Sequence, residues 1–349
     1  MLDMAKKSKK TRFYEIDFLR GSAIFFMIIT HVNAVFQSEY DLVLDKLTWW
    51  GATVCFTVFL FCFAFIYGLK LMRQKKLKIY REIKRFLILL AVYLTSAAIA
   101  HFFLQRSIDR DTLLSILQFK YLPPYTEFII TFAIYVLVLI FAQKFFKYLL
   151  KKPITFIIFS FLIYGLSIYL YKVDGGTGTI NDIKALFVGH EHVHSFGVLS
   201  YFPVFTLGMI SGYIAESKKK RRLINFILLI ISLALVFALI SYNLSSWYRF
   251  PPSVLFLSYG ISYCFAIILL YKIIRKLGFI KKYILFLGKN ALFIFLANVV
   301  VILGLKYYLI EYSFTTLYVW VLQLVVFVVI SYLTFFVGKI SKYAKKAKI

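Results

Sequence analysis

Long apolar runs alternate with short polar segments along the whole chain. A helix rises about 1.5 Å per residue, so about 20 apolar residues cross the roughly 30 Å hydrocarbon core of a bilayer. By that measure the pattern predicts ten membrane helices, over 18–36, 49–69, 86–103, 128–146, 153–171, 198–215, 223–242, 253–271, 291–309 and 315–337. The expected fold class is therefore all-α: a polytopic integral membrane protein forming a single transmembrane domain over 1–349. Basic segments at 1–16 and 338–349 flank it, and no internal repeat is visible. The longer polar connections, 105–126 and 172–197, read as loops.

Composition agrees. Hydrophobic residues make up 62% of the chain and aromatics 20%, with a mean hydropathy of +0.82, against about 45–50% apolar residues in a soluble domain. No soluble core hides that much apolar surface, so lipid must solvate much of it. The net charge of +27 would suggest nucleic acid in a soluble protein. Here the cations lie between apolar runs, where they act as topology signals and contacts to anionic lipid, and no nucleic-acid partner is expected. With the N-terminus inside and the spans alternating, 34 of the 42 Lys and Arg fall on the inner side, while 10 of the 15 Asp and Glu fall on the outer side. This positive-inside bias supports ten spans with both termini cytoplasmic. The Lys-rich start and first apolar run read as a retained helix, because no small-residue cleavage site follows. The Phe-, Ile- and Lys-rich usage hints at an AT-rich bacterial genome, and the expected location is a bacterial plasma membrane. Cys55, Cys62 and Cys264 all sit inside apolar runs and read as packing residues, with no zinc or disulfide spacing.

Ionisable groups inside a membrane helix cost about 2.5–3.5 kcal/mol each at mid-helix and mark functional candidates. The first helix opens RFYEIDFLRG and reaches a histidine at position 31. Eleven residues separate Arg20 from His31, which is three turns plus about 20°, so the two share a face roughly 16 Å apart along the axis. Asp17 can pair with Arg20 at i, i+3. In one reading Arg20 anchors the helix at the interface, Asp17 partners it, and His31 is a hydrogen-bonded core residue. In the other, His31 is a general base, with Arg20 positioning a substrate or stabilising charge.

YEIDFLRGSAIFFMIITH resembles the opening helix of the type 3 membrane acyltransferase superfamily, whose branches include heparan glucosaminide acetyltransferase-like proteins and glucan succinyltransferases. The matching positions are Asp17, Arg20, Gly21 and His31. Softer likenesses lie in the Phe-rich second helix, the FP…GxxxG helix over 201–214, and GKNALFIFLANVVVI, where Asn298 stands at a position often occupied by His. The third helix begins YREIKRF, with Arg81 and Lys84 in the spacing of the family's Arg-x-x-Arg. The resemblance implies an enzyme that moves an acyl group, often acetyl from acetyl-CoA, onto a hydroxyl or amine of a glycan beyond the membrane. It implies His31, Arg20 and Asp17 as catalytic residues and Arg81, Lys84 and Arg85 as holders of the CoA phosphates. No metal is expected. The same basic loop also suits lipid headgroups.

Three further features carry alternatives. Glu127 is either a solvated carboxylate at a helix N-terminus or a group that binds the acceptor or assists His31. His190, His192 and His194, in GHEHVH, form an ordinary polar loop, an acceptor contact or a metal site. Asn298 joins Glu127, His192 and His194 as an expected acceptor-binding residue. The competing class is a transporter or flippase for a glycan or lipid-linked intermediate, which would spread polar residues over several helices. A structural partner within a larger synthase is a third.

Overall fold

A computed structural model describes residues 12–74, 76–107, 109–173, 178–190, 196–243, 246–309 and 314–346. Among these residues the regular structure is helical throughout, which agrees with the all-α expectation. The helices are α1 (Tyr14–Phe36), α2 (Leu42–Arg73), α3 (Ile79–Gln105), α4 (Arg110–Leu117), α5 (Phe128–Phe141), α6 (Gln143–Lys151) and α7 (Pro153–Lys172), followed by α8 (Thr179–Val188), α9 (Phe202–Tyr213), α10 (Lys218–Ser241), α11 (Val254–Ile274), α12 (Gly278–Lys289), α13 (Ala291–Tyr308) and α14 (Thr316–Lys346).

A helix lies on each of the ten expected apolar runs, but not all ten are long enough to span. Among the described residues, eight helices are long and apolar enough to cross a membrane: α1, α2, α3, α7, α10, α11, α13 and α14. The run expected over 128–146 breaks at Ala142, where α5 and α6 meet at 84°; counted as one span, the pair makes nine. The reason lies in α6, QKFFKYLLK, which buries Phe146, Leu149 and Leu150 and leaves its lysines on the other side. Such an amphipathic segment turns to lie along an interface rather than continuing through it. The run over 198–215 is helical only for the 12 residues of α9. Its preceding backbone, buried at Phe196 and Val198, is satisfied by hydroxyls: Thr131 donates to the Phe196 carbonyl and Tyr135 to that of Val198, both at 2.6 Å. Two helices, α4 and α8, occupy segments expected to be loops, and α12 lies in the connection between the runs over 253–271 and 291–309; each is too short to register as a span.

The centre is built on α1 and α2, which pack on each other, with α9 against α2 and α12 and α13 against α1. In contrast, α10 exposes Phe226, Ile230, Ile231, Leu233 and Phe237, and α7 and α14 are similarly bare of protein cover. That is the exposure expected of helices solvated by lipid.

The α1–α12 contact is set by two glycines. A Cβ on Gly21 would stand 1.9 Å from the Ile284 carbonyl oxygen, and one on Gly288 would stand 1.8 Å from that of Asp17. Only glycine, which has no Cβ, allows backbones this close, and the crossing fixes the first turns of α1 beside the end of α12.

Candidate active site

Two cavities lie along α1, one at each of its polar positions. The larger, about 520 Å³, is lined at one end by Arg20 from α1, Arg81, Lys84 and Arg85 from α3, and Lys289 at the end of α12. Its walls deeper in are mostly aromatic and aliphatic, including Phe63, Phe132 and Phe295. A volume of roughly 300–1,000 Å³ accommodates a drug-sized ligand, and the clustered cations select an anionic one.

Arg20 is placed by two contacts. Its Nη1 lies 3.4 Å from the Gly288 carbonyl oxygen and 3.9 Å from Asp17 Oδ1. The i, i+3 pair is therefore present, but the tighter partner of Asp17 is Arg12, at 2.5 Å. Arg85 is held by Glu82, which is only 4% exposed and also pairs with Lys70 at 2.6 Å and accepts from the Tyr67 hydroxyl. In the sequence Glu82 simply lies between Arg81 and Lys84, and nothing there marks it as the carboxylate that holds Arg85. Arg81 and Lys84 are exposed and face the cavity without an ion pair among the described residues.

The smaller cavity, about 50 Å³, is lined by His31, Thr30, Cys55, Phe128, Phe196 and Arg249 among others. His31 is half-buried. Its Nδ1 lies 2.7 Å from Asn298 Nδ2, and the Tyr125 ring meets the imidazole edge-on with centroids 4.8 Å apart. Its Nε2 has no hydrogen-bond partner among the described residues. Arg249 comes from the segment before α11 and lies over the rings of Phe196 and Phe250, 5.4 and 4.8 Å from their centroids. Its Nε is buried and unpartnered. Sequence reading did not single out Arg249; the available signal was that it is the sole charged residue in NLSSWYRFPPS. An imidazole and a guanidinium facing one small cavity can remove a proton and stabilise an oxyanion.

Phe59 and Phe128 line both cavities. Their rings are parallel to within 1°, 6.4 Å apart, so a pair of aromatic side chains stands between the cationic chamber and His31.

Glu127 precedes α5, between Thr126 and Phe128 in sequence. It is half-buried, not solvated, and burial pushes its carboxyl up to about 7, against the pull of Arg249. A carboxyl whose folded value lies above its ordinary one contributes stability that is complete below about 4.5 and lost as pH rises through about 7. We expect the melting temperature of the detergent-solubilised protein to fall between pH 5 and pH 8, and Glu127→Gln to reduce that fall. An unchanged profile in the variant would show that Glu127 is ionised without cost.

Asn298, expected to bind the acceptor, is fully buried and meets His31. His190 is described and half-buried, whereas His192 and His194 lie outside the described residues.

With that geometry, the comparisons identify the class. A family model described as an acyltransferase domain, that of the type 3 acyltransferases, matches residues 13–336. The chain belongs to this family, as a multi-pass membrane acyltransferase. None of the curated proteins compared matches it.

Proposed function

We propose that this protein takes an acyl group, most simply acetyl, from cytoplasmic acyl-CoA and places it on a hydroxyl or amine of an extracytoplasmic glycan at the surface of a bacterial plasma membrane. What supports this reading is the pair of cavities on one face of α1, cationic at Arg20 and bearing a base at His31, with Phe59 and Phe128 as their shared wall. Arg81, Lys84 and Arg85 hold the CoA phosphates. The arm enters past Arg20, which Asp17 and the Gly288 carbonyl orient. The thioester carbonyl is drawn between Phe59 and Phe128 to His31. His31 takes the acceptor proton as the new bond to the acyl carbon forms, and Arg249 stabilises the tetrahedral oxyanion. When the carbon–sulfur bond breaks, the proton passes to the departing CoA sulfur. The small volume around His31 suits a short acyl chain.

Two results test the donor half. Arg81→Ala with Lys84→Ala is expected to raise the KM for acyl-CoA by about 10-fold or more, since hydrogen bonds to charged groups contribute about 1.5–3 kcal/mol, and to leave kcat nearly unchanged. If these cations serve only lipid headgroups, the KM stays where it was. Arg20→Ala is expected to abolish turnover in a protein that remains folded; full activity would remove Arg20 from the mechanism.

A further inference from the structure

His31 has two ring nitrogens, and Asn298 occupies one of them. The contact joins α1 to α13 at 2.7 Å through Nδ1, and Asn298 has no exposed surface. The ring can therefore act only through Nε2. Which nitrogen carries the proton is decided by which end of the amide faces it. If the NH2 group faces Nδ1, it donates to the ring, Nε2 holds the hydrogen, and no lone pair is left for an acceptor's proton. In that orientation Asn298 Oδ1 is buried without a partner, a place that Nδ2 takes if the amide turns. A half-turn of the amide, which exchanges groups of nearly equal shape, places Oδ1 against Nδ1 instead. Nδ1–H then donates to Oδ1, and Nε2 keeps its lone pair.

The charged form of the ring selects between the two. A base that accepts a proton at Nε2 becomes an imidazolium with hydrogens on both nitrogens. Its Nδ1–H needs an acceptor at that moment. Oδ1 serves both the neutral and the charged ring, whereas an NH2 group would set donor against donor once the ring is charged.

We propose that Asn298 is the positioning residue of His31: its Oδ1 accepts from Nδ1–H, which presents Nε2 as the free base in the cavity. This rests on the acyltransferase reading above for its purpose, but not for its observation. Removing the acceptor is expected to lower kcat by about 10²-fold, the upper end of the usual effect of a group that orients a reactive histidine, with little change in the KM for acyl-CoA. Asn298→Leu, close in volume and unable to accept, is expected to show that loss. Asn298→Asp, which can only accept, is expected to retain activity. The second readout needs no turnover. Nitrogen-15 NMR of histidine-labelled protein, with His31 assigned by its absence in His31→Ala, reports which ring nitrogen is protonated. We expect Nδ1–H in the wild type and in Asn298→Asp, and a shift toward Nε2–H in Asn298→Leu. Undiminished kcat in Asn298→Leu, or Nε2–H in an active wild type, would overturn the assignment. A protein inert toward every acyl-CoA but holding Nδ1–H would overturn the acyltransferase reading and leave the contact standing.

Discussion

His31→Ala is expected to insert and fold as the wild type does while turning over its acyl donor about 10³-fold more slowly, within the range for loss of a positioned general base. The size of the effect follows from what else lines the cavity. The other polar side chains there are Thr30, Cys55 and Arg249. Arginine does not give up its proton in proteins, and a hydroxyl or thiol that must itself be deprotonated is a poor substitute for an imidazole. Glu127 is nearby in sequence to the Tyr125 ring that packs on His31, but it is not among the residues lining the cavity. The structural loss is one part-buried hydrogen bond, to Asn298, worth about 1 kcal/mol with a further cost for the stranded amide, together with the edge-on contact to the Tyr125 ring. Initial rates of CoA release, read beside the thermal unfolding curve of each protein, separate the catalytic from the structural effect. A rate within a few-fold of wild type would leave His31 as a core residue.

The second large effect is expected from the opposite kind of change. Gly288→Val adds three carbons where even a Cβ would lie 1.8 Å from the Asp17 carbonyl oxygen. The obstacle is backbone, so no rotamer change relieves it. Overpacking a close contact costs about 1–3 kcal/mol, occasionally more, and this crossing, tight enough to force the helices apart, belongs at the upper end. Moving α12 also withdraws the Gly288 carbonyl from Arg20 and Lys289 from the mouth of the cationic cavity. We therefore expect a lower melting temperature and, in the fraction that folds, loss of turnover together with a raised KM for acyl-CoA. A variant as stable and active as wild type would show that α1 and α12 do not need their close approach.

These two residues also mark what the sequence could and could not give. Arg20 and His31 were legible because both lie on one helix, where a fixed rotation per residue makes an eleven-residue interval a geometric statement. The long apolar runs were legible for the same kind of reason, since length and hydropathy are local. The bend at Ala142 was not, because it depends on where the lysines of α6 settle relative to an interface. Nor was α12, which at 12 residues is too short to register as a span and becomes important only through its crossing with α1. Arg249 reaches His31 across more than 200 residues of chain, and no spacing rule connects them. Asn298 was noticed for its position in a late helix, but its contact with the imidazole, 267 residues away along the chain, could not be read from the sequence. Residues that meet on one element can be read from the chain; residues that meet across elements had to await the packing.

The measurement that tests the account most directly is acyl transfer by purified protein in sealed liposomes, with labelled acetyl-CoA supplied to the basic face and membrane glycan to the other. The account predicts release of free CoA and label on the glycan for wild type, and neither for His31→Ala. If wild-type protein consumes neither acetyl-CoA nor any other acyl-CoA, the chain does not carry an acyl group from CoA and the proposed chemistry is wrong.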